Sequence, residues 1–202
     1  PEWGLRRSPL QEARLMANRL LAHDVQTVVF ARSRLSVELL VSMLRQDAAH
    51  GGRDPLSIRG YRSGYLASER REIERGLRSG AVRCVVATNA LELGVDIGGL
   101  EACVMAGYAG SIASTWQQAG RAGRGEEPSV AFLVASSSPS DQYIISHPDY
   151  FFGQSPEHAL LNPDNLHVLT AHVQCAASEL PIEATESFGG ENIQELLSFL
   201  AE

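Results

Sequence analysis

The fold is decided by residues 82–96, which read VRCVVATNALELGVD. Its first part, Val82–Ala87, is mostly apolar and lacks the alternation of a half-exposed strand, so it predicts a short strand covered on both faces. The small and polar residues that follow favour a loop. In parallel sheets, ligand sites lie where such loops leave the carboxyl ends of the strands, so this loop is a candidate site.

The same pattern repeats on both sides of this segment. Short apolar runs predict four more strands, and the stretches between them have the three- and four-residue apolar spacing of helices. Strands that alternate with helices predict a parallel α/β sheet flanked by helices. The further predicted strands are Val25–Phe30, Leu56–Tyr61, Ala102–Met105 and Val130–Val134.

Four residues are predicted to begin helices. Each has a side chain that accepts a hydrogen bond from the first helical turn, and two of them precede a proline, which is favoured at the first helical position. The predicted caps are Ser8, Ser68, Ser114 and Asn162.

The chain contains no lysine, because all 17 of its basic residues are arginine. A phosphate-binding loop of the G-x-x-x-x-G-K-[ST] type needs its lysine, and Schiff-base catalysis needs a lysine amine. Both functions are therefore excluded for this chain.

The formal net charge of −7 conceals two unlike halves. Residues 1–83 contain 15 Arg and 9 acidic residues, a balance of +6, whereas residues 84–202 contain 2 Arg and 15 acidic residues, a balance of −13. The basic half could bind phosphates, although a solvated surface explains charge clustering equally well. Arg121 and Arg124 stand out as the arginines of the acidic half.

The three cysteines, Cys84, Cys103 and Cys175, are far apart and form no C-x-x-C pair. This usage indicates a reducing compartment, and we expect a cytoplasmic protein without a membrane span. The start at Pro1, without an initiator Met, indicates a piece of a longer chain.

The composition changes near Ser136, after which the chain contains 10 acidic residues and no arginine. We predict three segments: a linker helix at 1–22, the α/β domain at 23–137 and the start of a C-terminal extension at 138–202. His172 and Cys175 share one helix face in this extension, but His167 does not, so we expect no metal site.

The segment Gln117–Gly125, QQAGRAGRG, has two arginines three residues apart among glycines and glutamines. Such a segment suits a polyanion such as a triphosphate. A glycine-rich turn whose arginines only face solvent is the alternative. Trp116 precedes the segment, and we expect it to pack against the protein rather than to stack on a base.

A second segment supplies the context. Thr88 lies at a strand end where it can hold a phosphate, Gly94 permits a close approach, and Asp96 can accept from a ribose hydroxyl. The pattern T-x-x-x-x-x-G-x-D followed by Q-x-x-G-R-x-G-R resembles motifs V and VI of superfamily 2 helicases. Those motifs lie on the second of two RecA-like motor domains.

Other segments resemble the same superfamily over residues 20–135. Val28–Arg34 is similar to motif IV, and Tyr61–Tyr65 with the helix start at 68–71 is similar to the region between motifs IV and V. Further segments resemble the mitomycin-repair-factor branch, which comprises bacterial DNA-repair helicases related to RecQ with a C-terminal zinc module. They are 87–99, 108–125, 141–143, 147–148, 162–165 and 175–181.

The resemblance implies a RecA-like parallel sheet with a small, mainly helical C-terminal appendage, acting in ATP-driven unwinding of DNA. It implies that Arg121 and Arg124 are arginine fingers at the γ-phosphate of ATP. It assigns nucleotide contacts to Gln117, Gly94 and Asp96, and contacts with the phosphates of a single strand to Arg32, Ser33, Arg62 and Thr88.

The resemblance also implies what this chain lacks. The phosphate-loop lysine and the Asp-Glu metal-binding pair are missing from the sequence. ATP and Mg²⁺ would therefore be bound mainly by a first RecA-like domain, and the isolated chain would be inactive. The expected partners are that domain and single-stranded or tailed duplex DNA, and a zinc cluster would lie beyond Glu202. An RNA helicase domain and a nucleotide-binding regulatory domain without motor function are the alternatives.

Overall fold

The computed structural model describes residues 7–92, 97–98, 100–123, 128–155, 162, 165–183, 186 and 193–201. Within them the strands are β1 (Thr27–Phe30), β2 (Ile58–Tyr61), β3 (Cys84–Ala87), β4 (Ala102–Ala106) and β5 (Val130–Val134). They form one sheet in the order β2-β3-β1-β4-β5, and every neighbouring pair is parallel. The predicted parallel sheet is confirmed.

Helices connect the strands and continue beyond the last one. No helix among the described residues combines the length and the apolar character needed to cross a membrane. The α-helices are α1 (Pro9–Ala22), α2 (Arg34–His50), α3 (Ala67–Arg78), α4 (Ile112–Ala119), α5 (Pro139–Ser146), α6 (Pro148–Gly153), α7 (Leu166–Glu179) and α8 (Ile193–Ala201), and two short 3-10 helices lie at Pro55–Ser57 and Asn89–Leu91.

The sheet is buried on both faces, as the continuous apolar strands predict. Val29 and Val86 contribute to a core shared with α1 and α2, whereas Val28 and Val85 contribute to a second core shared with α3. All four side chains are fully buried. Burial of each such side chain stabilises the fold by about 1.5–3 kcal/mol, so the two cores hold the sheet between layers of helices.

Three predicted strands begin later than expected. The strand predicted from Val82 begins at Cys84. The segment before β2 forms the 3-10 helix Pro55–Ser57, because the Asp54 carboxylate accepts from the Leu56 N–H at 2.9 Å. Leu56 is consequently exposed, not part of the sheet. The strand predicted from Val25 begins at Thr27. The carboxyl ends of these strands agree with the prediction.

The predicted cap at Ser8 is confirmed, since its hydroxyl accepts from the Gln11 N–H at 3.3 Å. The cap at Ser68 is wrong, because Leu66 is the N-cap position and α3 begins two residues earlier than predicted, at Ala67. The Glu69 carboxylate turns back to accept from the Leu66 N–H at 2.9 Å and satisfies the exposed helix start. A charged acceptor thus replaces the serine cap.

The caps at Ser114 and Asn162 are also wrong. Ser111 caps α4 and accepts from the Ser114 N–H at 3.0 Å, so Ser114 lies within the first turn. Asn165 caps α7 and accepts from the N–H groups of residues 167 and 168. In both places two capping side chains lie three residues apart, and the local pattern alone does not distinguish them.

The chain divides into two compact units, residues 1–157 and 158–202. The first unit includes α5 and α6, which the sequence assigned to the extension. The second has a small apolar core in which Leu169 and Val173 pack with Ile182 and Leu197. The three predicted domain boundaries stay a prediction.

Candidate functional site

The carboxyl ends of β1, β2 and β3 lie side by side. Phe30 and Tyr61, the last residues of two of these strands, both pair with Ala87 at the end of the third. The residues that follow therefore meet at one edge of the sheet, which we call the carboxyl edge. This edge holds the four residues predicted to contact a nucleic-acid strand: Arg32, Ser33, Arg62 and Thr88.

Arg62 is held in place at this edge by an ion pair. Its Nε donates to the Glu38 carboxylate at 2.7 Å, and its guanidinium lies 4.7 Å from the centre of the Tyr65 ring. The hydrogen bond with Glu38 raises the pKa of Arg62 above its ordinary value. The ion pair therefore fixes the position of the guanidinium, while Glu38 offsets part of its charge.

Ser33 caps helix α2 at the same edge, and its hydroxyl accepts from the Ser36 N–H at 3.1 Å. The next residue, Arg34, donates to the Ser63 hydroxyl at 3.0 Å. The start of α2 therefore presents a positive helix end, and a guanidinium lies beside it. An anion at this position would meet both.

Thr88 is buried, with 8% of its surface exposed. Its hydroxyl accepts from the Ala90 N–H at 3.4 Å, and its own N–H donates to the Tyr61 carbonyl at 3.3 Å. Thr88 therefore holds the turn that leaves β3. Its predicted phosphate contact stays a prediction.

Arg32 occupies a different environment from Arg62. Its Nη2 donates both to the Tyr108 carbonyl and to the Asp141 carboxylate, each at 2.7 Å. Gly107 has a φ of +99°, and a Cβ there would lie 3.0 Å from the Arg32 Nε. The guanidinium therefore packs on bare backbone, although about half of the side chain (51%) remains exposed.

Asp141 is the buried partner in this ion pair and has no exposed side-chain surface. Burial by itself raises the pKa of Asp141, but hydrogen bonds from Ser136 and Ser138 outweigh it and lower the pKa below 3.8. The donors, the Ser136 N–H and the Ser138 hydroxyl, lie 2.7 and 2.8 Å from the Asp141 carboxylate oxygens. Asp141 thus links β1 to the start of α5. The sequence analysis did not assign it this function.

A polar cavity of about 390 Å³ lies beside Arg32, between the carboxyl ends of β1 and β4. Its lining includes Asn89, Tyr108 and Gln118. This is the position at which the strand order reverses direction, where ligands of parallel α/β sheets are commonly bound. The cavity extends the carboxyl edge toward α4.

Helix α4 runs back along the sheet and ends near the opposite edge. Ala122 forms a parallel bridge with Leu100, which precedes β4, and the Gly123 N–H donates to the Leu100 carbonyl at 2.9 Å. The Gln117 side chain is exposed, and the Arg121 Nε lies 3.5 Å from the Gln117 carbonyl oxygen. These two predicted nucleotide contacts thus lie together, apart from the carboxyl edge.

Three predicted site residues lie outside the described residues. They are Arg124, Gly94 and Asp96.

Glu92 is a buried acid that the sequence analysis did not identify. Only 8% of its surface is exposed, and its Oε2 accepts from the Ser114 hydroxyl at 2.8 Å and from the Gln118 Nε2 at 3.1 Å. The available signal was a glutamate within the apolar run 90–93. Its partners are more than 20 residues away and become visible only in the fold.

Trp116 packs against the protein. Its ring stacks on Phe151 at a centroid distance of 5.5 Å and meets Phe152 edge-on at 5.9 Å. These rings line an apolar cavity of about 350 Å³, with Met105 and Leu133 among its other lining residues. Trp116 retains an exposed fraction of 43%.

Cys84 and Cys103 are fully buried, and burial raises the pKa of each thiol to about 12. Both therefore behave as small core residues. Within the described residues, no three His, Cys, Asp or Glu side chains are grouped so that they could hold a metal ion.

Comparison with known families identifies the α/β unit. Residues 12–126, more than half of the chain, match the model of the helicase conserved C-terminal domain. The chain belongs to this family. Residues 161–199 match the winged helix domain of the ATP-dependent helicase HRQ1. The sequence analysis predicted helices there but did not identify a winged helix.

Relatives of known sequence support the assignment. The chain is 54% identical over 198 residues to an uncharacterised ATP-dependent helicase of Bacillus subtilis, YprA, covering 98% of this chain and 26% of the relative. It is 41% identical over 179 residues to the ATP-dependent helicase HRQ1 of Saccharomyces cerevisiae, covering 86% of this chain and 17% of that protein. The chain therefore spans about a quarter or less of these relatives.

Among solved structures, the DUF1998 helicase MrfA bound to DNA and AMPPNP has a TM-score of 0.81 and 54% identity to this chain. The match covers 98% of this chain and 28% of that chain. These findings confirm the resemblance to superfamily 2 helicases and to the mitomycin-repair-factor branch. They also confirm the RecA-like fold with its helical C-terminal piece.

Proposed function

We propose that this chain is the second motor domain of an ATP-dependent DNA helicase that acts in repair. The observation that carries the proposal is the separation of two groups on one domain. Basic and polar side chains gather at the carboxyl edge, while Gln117 and Arg121 lie at the far end of α4. A motor domain needs both, because it must bind a strand and also respond to nucleotide.

The carboxyl edge binds the phosphates of a single strand. The start of α2 at Ser33 provides a positive helix end, and Glu38 holds the Arg62 guanidinium beside it. Arg32 exposes half of its side chain while Asp141 holds it. Thr88 positions the backbone amides of its turn. Contacts made with phosphates alone tolerate any base sequence, as a translocating motor requires.

Arg121 and Arg124 would contact the γ-phosphate of an ATP bound on the first motor domain. ATP supplies the phosphoryl group and the free energy for unwinding. The exposed Gln117 contacts the nucleotide or the opposite domain, while Gly94 and Asp96 contact the ribose side. These groups fit a polyanion, since Arg121 and Gln117 bring hydrogen-bond donors to one glycine-rich turn.

Mg²⁺ and most of the nucleotide belong to the first domain of the same polypeptide, because this chain has no lysine and no Asp-Glu pair. The unpaired, buried thiols of Cys84 and Cys103 suit a cytoplasmic protein. DNA is favoured over RNA because the similar helicase MrfA was solved with DNA bound. We retain segments 1–22, 23–137 and 138–202 as the linker helix, motor domain and extension.

The test is Arg121→Ala in the complete protein. Removal of an arginine finger lowers ATP turnover by about 10³–10⁵-fold, while affinity for single-stranded DNA is largely preserved. Arg71→Ala, which removes an exposed arginine of α3, is the matched control and retains turnover. Normal ATP hydrolysis by Arg121→Ala refutes the assignment of Arg121 as an arginine finger. If the complete protein unwinds RNA duplexes but not DNA duplexes, the assignment of DNA as the substrate is refuted.

A further inference from the structure

Glu92 lies between the carboxyl edge, where the strand is proposed to bind, and the turn that carries Arg121. Its carboxylate accepts from Ser114 and Gln118, which are four residues apart and therefore lie on one face of α4. The acid is buried, so these two bonds compensate for the loss of its hydration. One carboxylate thus attaches the segment after β3 to both turns of α4.

On its N-terminal side, Glu92 is joined to the carboxyl edge through a single rigid turn. The Leu91 N–H donates to the Thr88 carbonyl at 3.3 Å, and the Glu92 N–H donates to the Asn89 carbonyl at 2.9 Å. Leu91 is fully buried in the second core. Thr88 and Glu92 are therefore joined by one packed turn of five residues.

On its α4 side, Glu92 is close to the backbone of Arg121. Gln118, which donates to Glu92 through its side chain, accepts the Arg121 N–H through its carbonyl at 3.1 Å. The same carbonyl accepts from the buried Cys103 thiol at 3.3 Å. Gln118 therefore connects Glu92 to the turn that carries Arg121.

We infer that Glu92 is a positioning residue that couples strand binding at the carboxyl edge to the placement of Arg121 at ATP. The inference rests on the proposed function. Bonds from neutral donors to a buried carboxylate are stronger than bonds between neutral groups, so the turn and α4 move together. The coupling passes through contacts already formed in this domain.

The experiment measures the ratio of ATP hydrolysis with and without single-stranded DNA in the complete protein. Glu92→Gln preserves shape but removes the charge, and we expect it to lower the ratio about 5-fold or more, the usual range of coupling between sites. The dissociation constant for DNA should change less than about 2-fold. Glu74→Gln, which weakens the 2.9 Å bond from the Tyr61 hydroxyl, is the matched control.

A second pair of variants guards against misfolding. Ser114→Ala removes one hydroxyl and should lower the ratio, while Ser114→Thr keeps that hydroxyl and should restore it. A merely structural defect would instead lower ATP hydrolysis with and without DNA by the same factor and leave the ratio unchanged. A normal ratio in both folded Glu92→Gln and Ser114→Ala overturns the coupling. If Arg121→Ala abolishes turnover in that case, the proposed function stands, whereas normal turnover by Arg121→Ala means that the proposed function itself has failed.

Discussion

Removal of the Asp141 carboxylate should destabilise the sheet unit. The side chain is fully buried and accepts from the Arg32 guanidinium, the Ser136 N–H and the Ser138 hydroxyl. Breaking a fully buried ion pair costs about 3–5 kcal/mol. Because Arg32 is half exposed and regains water, we expect Asp141→Ala to lower the free energy of unfolding by about 2–4 kcal/mol.

A double-mutant cycle isolates the ion pair. Exposed pairs contribute about 0.2–1 kcal/mol and hydrogen bonds to charged groups about 1.5–3 kcal/mol. With one partner buried and the other half exposed, the coupling free energy between Arg32→Ala and Asp141→Ala should be about 1–2 kcal/mol. The assay is urea unfolding of the 202-residue chain followed by far-UV circular dichroism, with Arg34→Ala as the exposed control.

The pH dependence provides a second measurement. The pKa of Asp141 is lowered below 3.8 in the folded state, so its contribution is fully present above the unfolded value and is lost as pH falls through the folded value. The stability difference between wild type and Asp141→Ala should therefore shrink below about pH 3.8. In the double-mutant cycle, the effects of Arg32→Ala and Asp141→Ala on the free energy of unfolding should not be additive. Additivity within about 0.3 kcal/mol would refute the ion-pair argument.

Two further predictions concern backbone and thiols. Gly107→Ala should lower the free energy of unfolding by about 1–3 kcal/mol in the same assay, because φ at this position is +99° and the new Cβ meets Arg32. Gly153→Ala is the control, since a Cβ there would enter open space. Equal effects of the two substitutions would contradict the strain argument. At neutral pH, iodoacetamide should modify the exposed Cys175 in the native chain but leave Cys84 and Cys103, whose pKa values are about 12, until urea is added. Mass spectrometry reports the sites, and rapid native labelling of Cys84 would show that this core opens.

The five strands could be predicted from the sequence because each is a short apolar run, which is a local signal. Four-residue strands such as β1 and β3 are buried on both faces, and their composition indicates this directly. The motifs that contain Thr88, Arg121 and Arg124 likewise indicated the helicase family, because each motif is one continuous stretch of sequence. Helix starts were less predictable, since Ser111 and Ser114 are both competent caps and tertiary position chose between them.

The sequence by itself determined the parallel α/β architecture and the family, through local patterns that need no partner. Only the tertiary structure decided that Arg32 pairs with Asp141, 109 residues away, and that Glu92 binds two residues of α4. The physical reason is that burial removes water from these carboxylates, and the donors that replace it come from whichever elements the fold brings near.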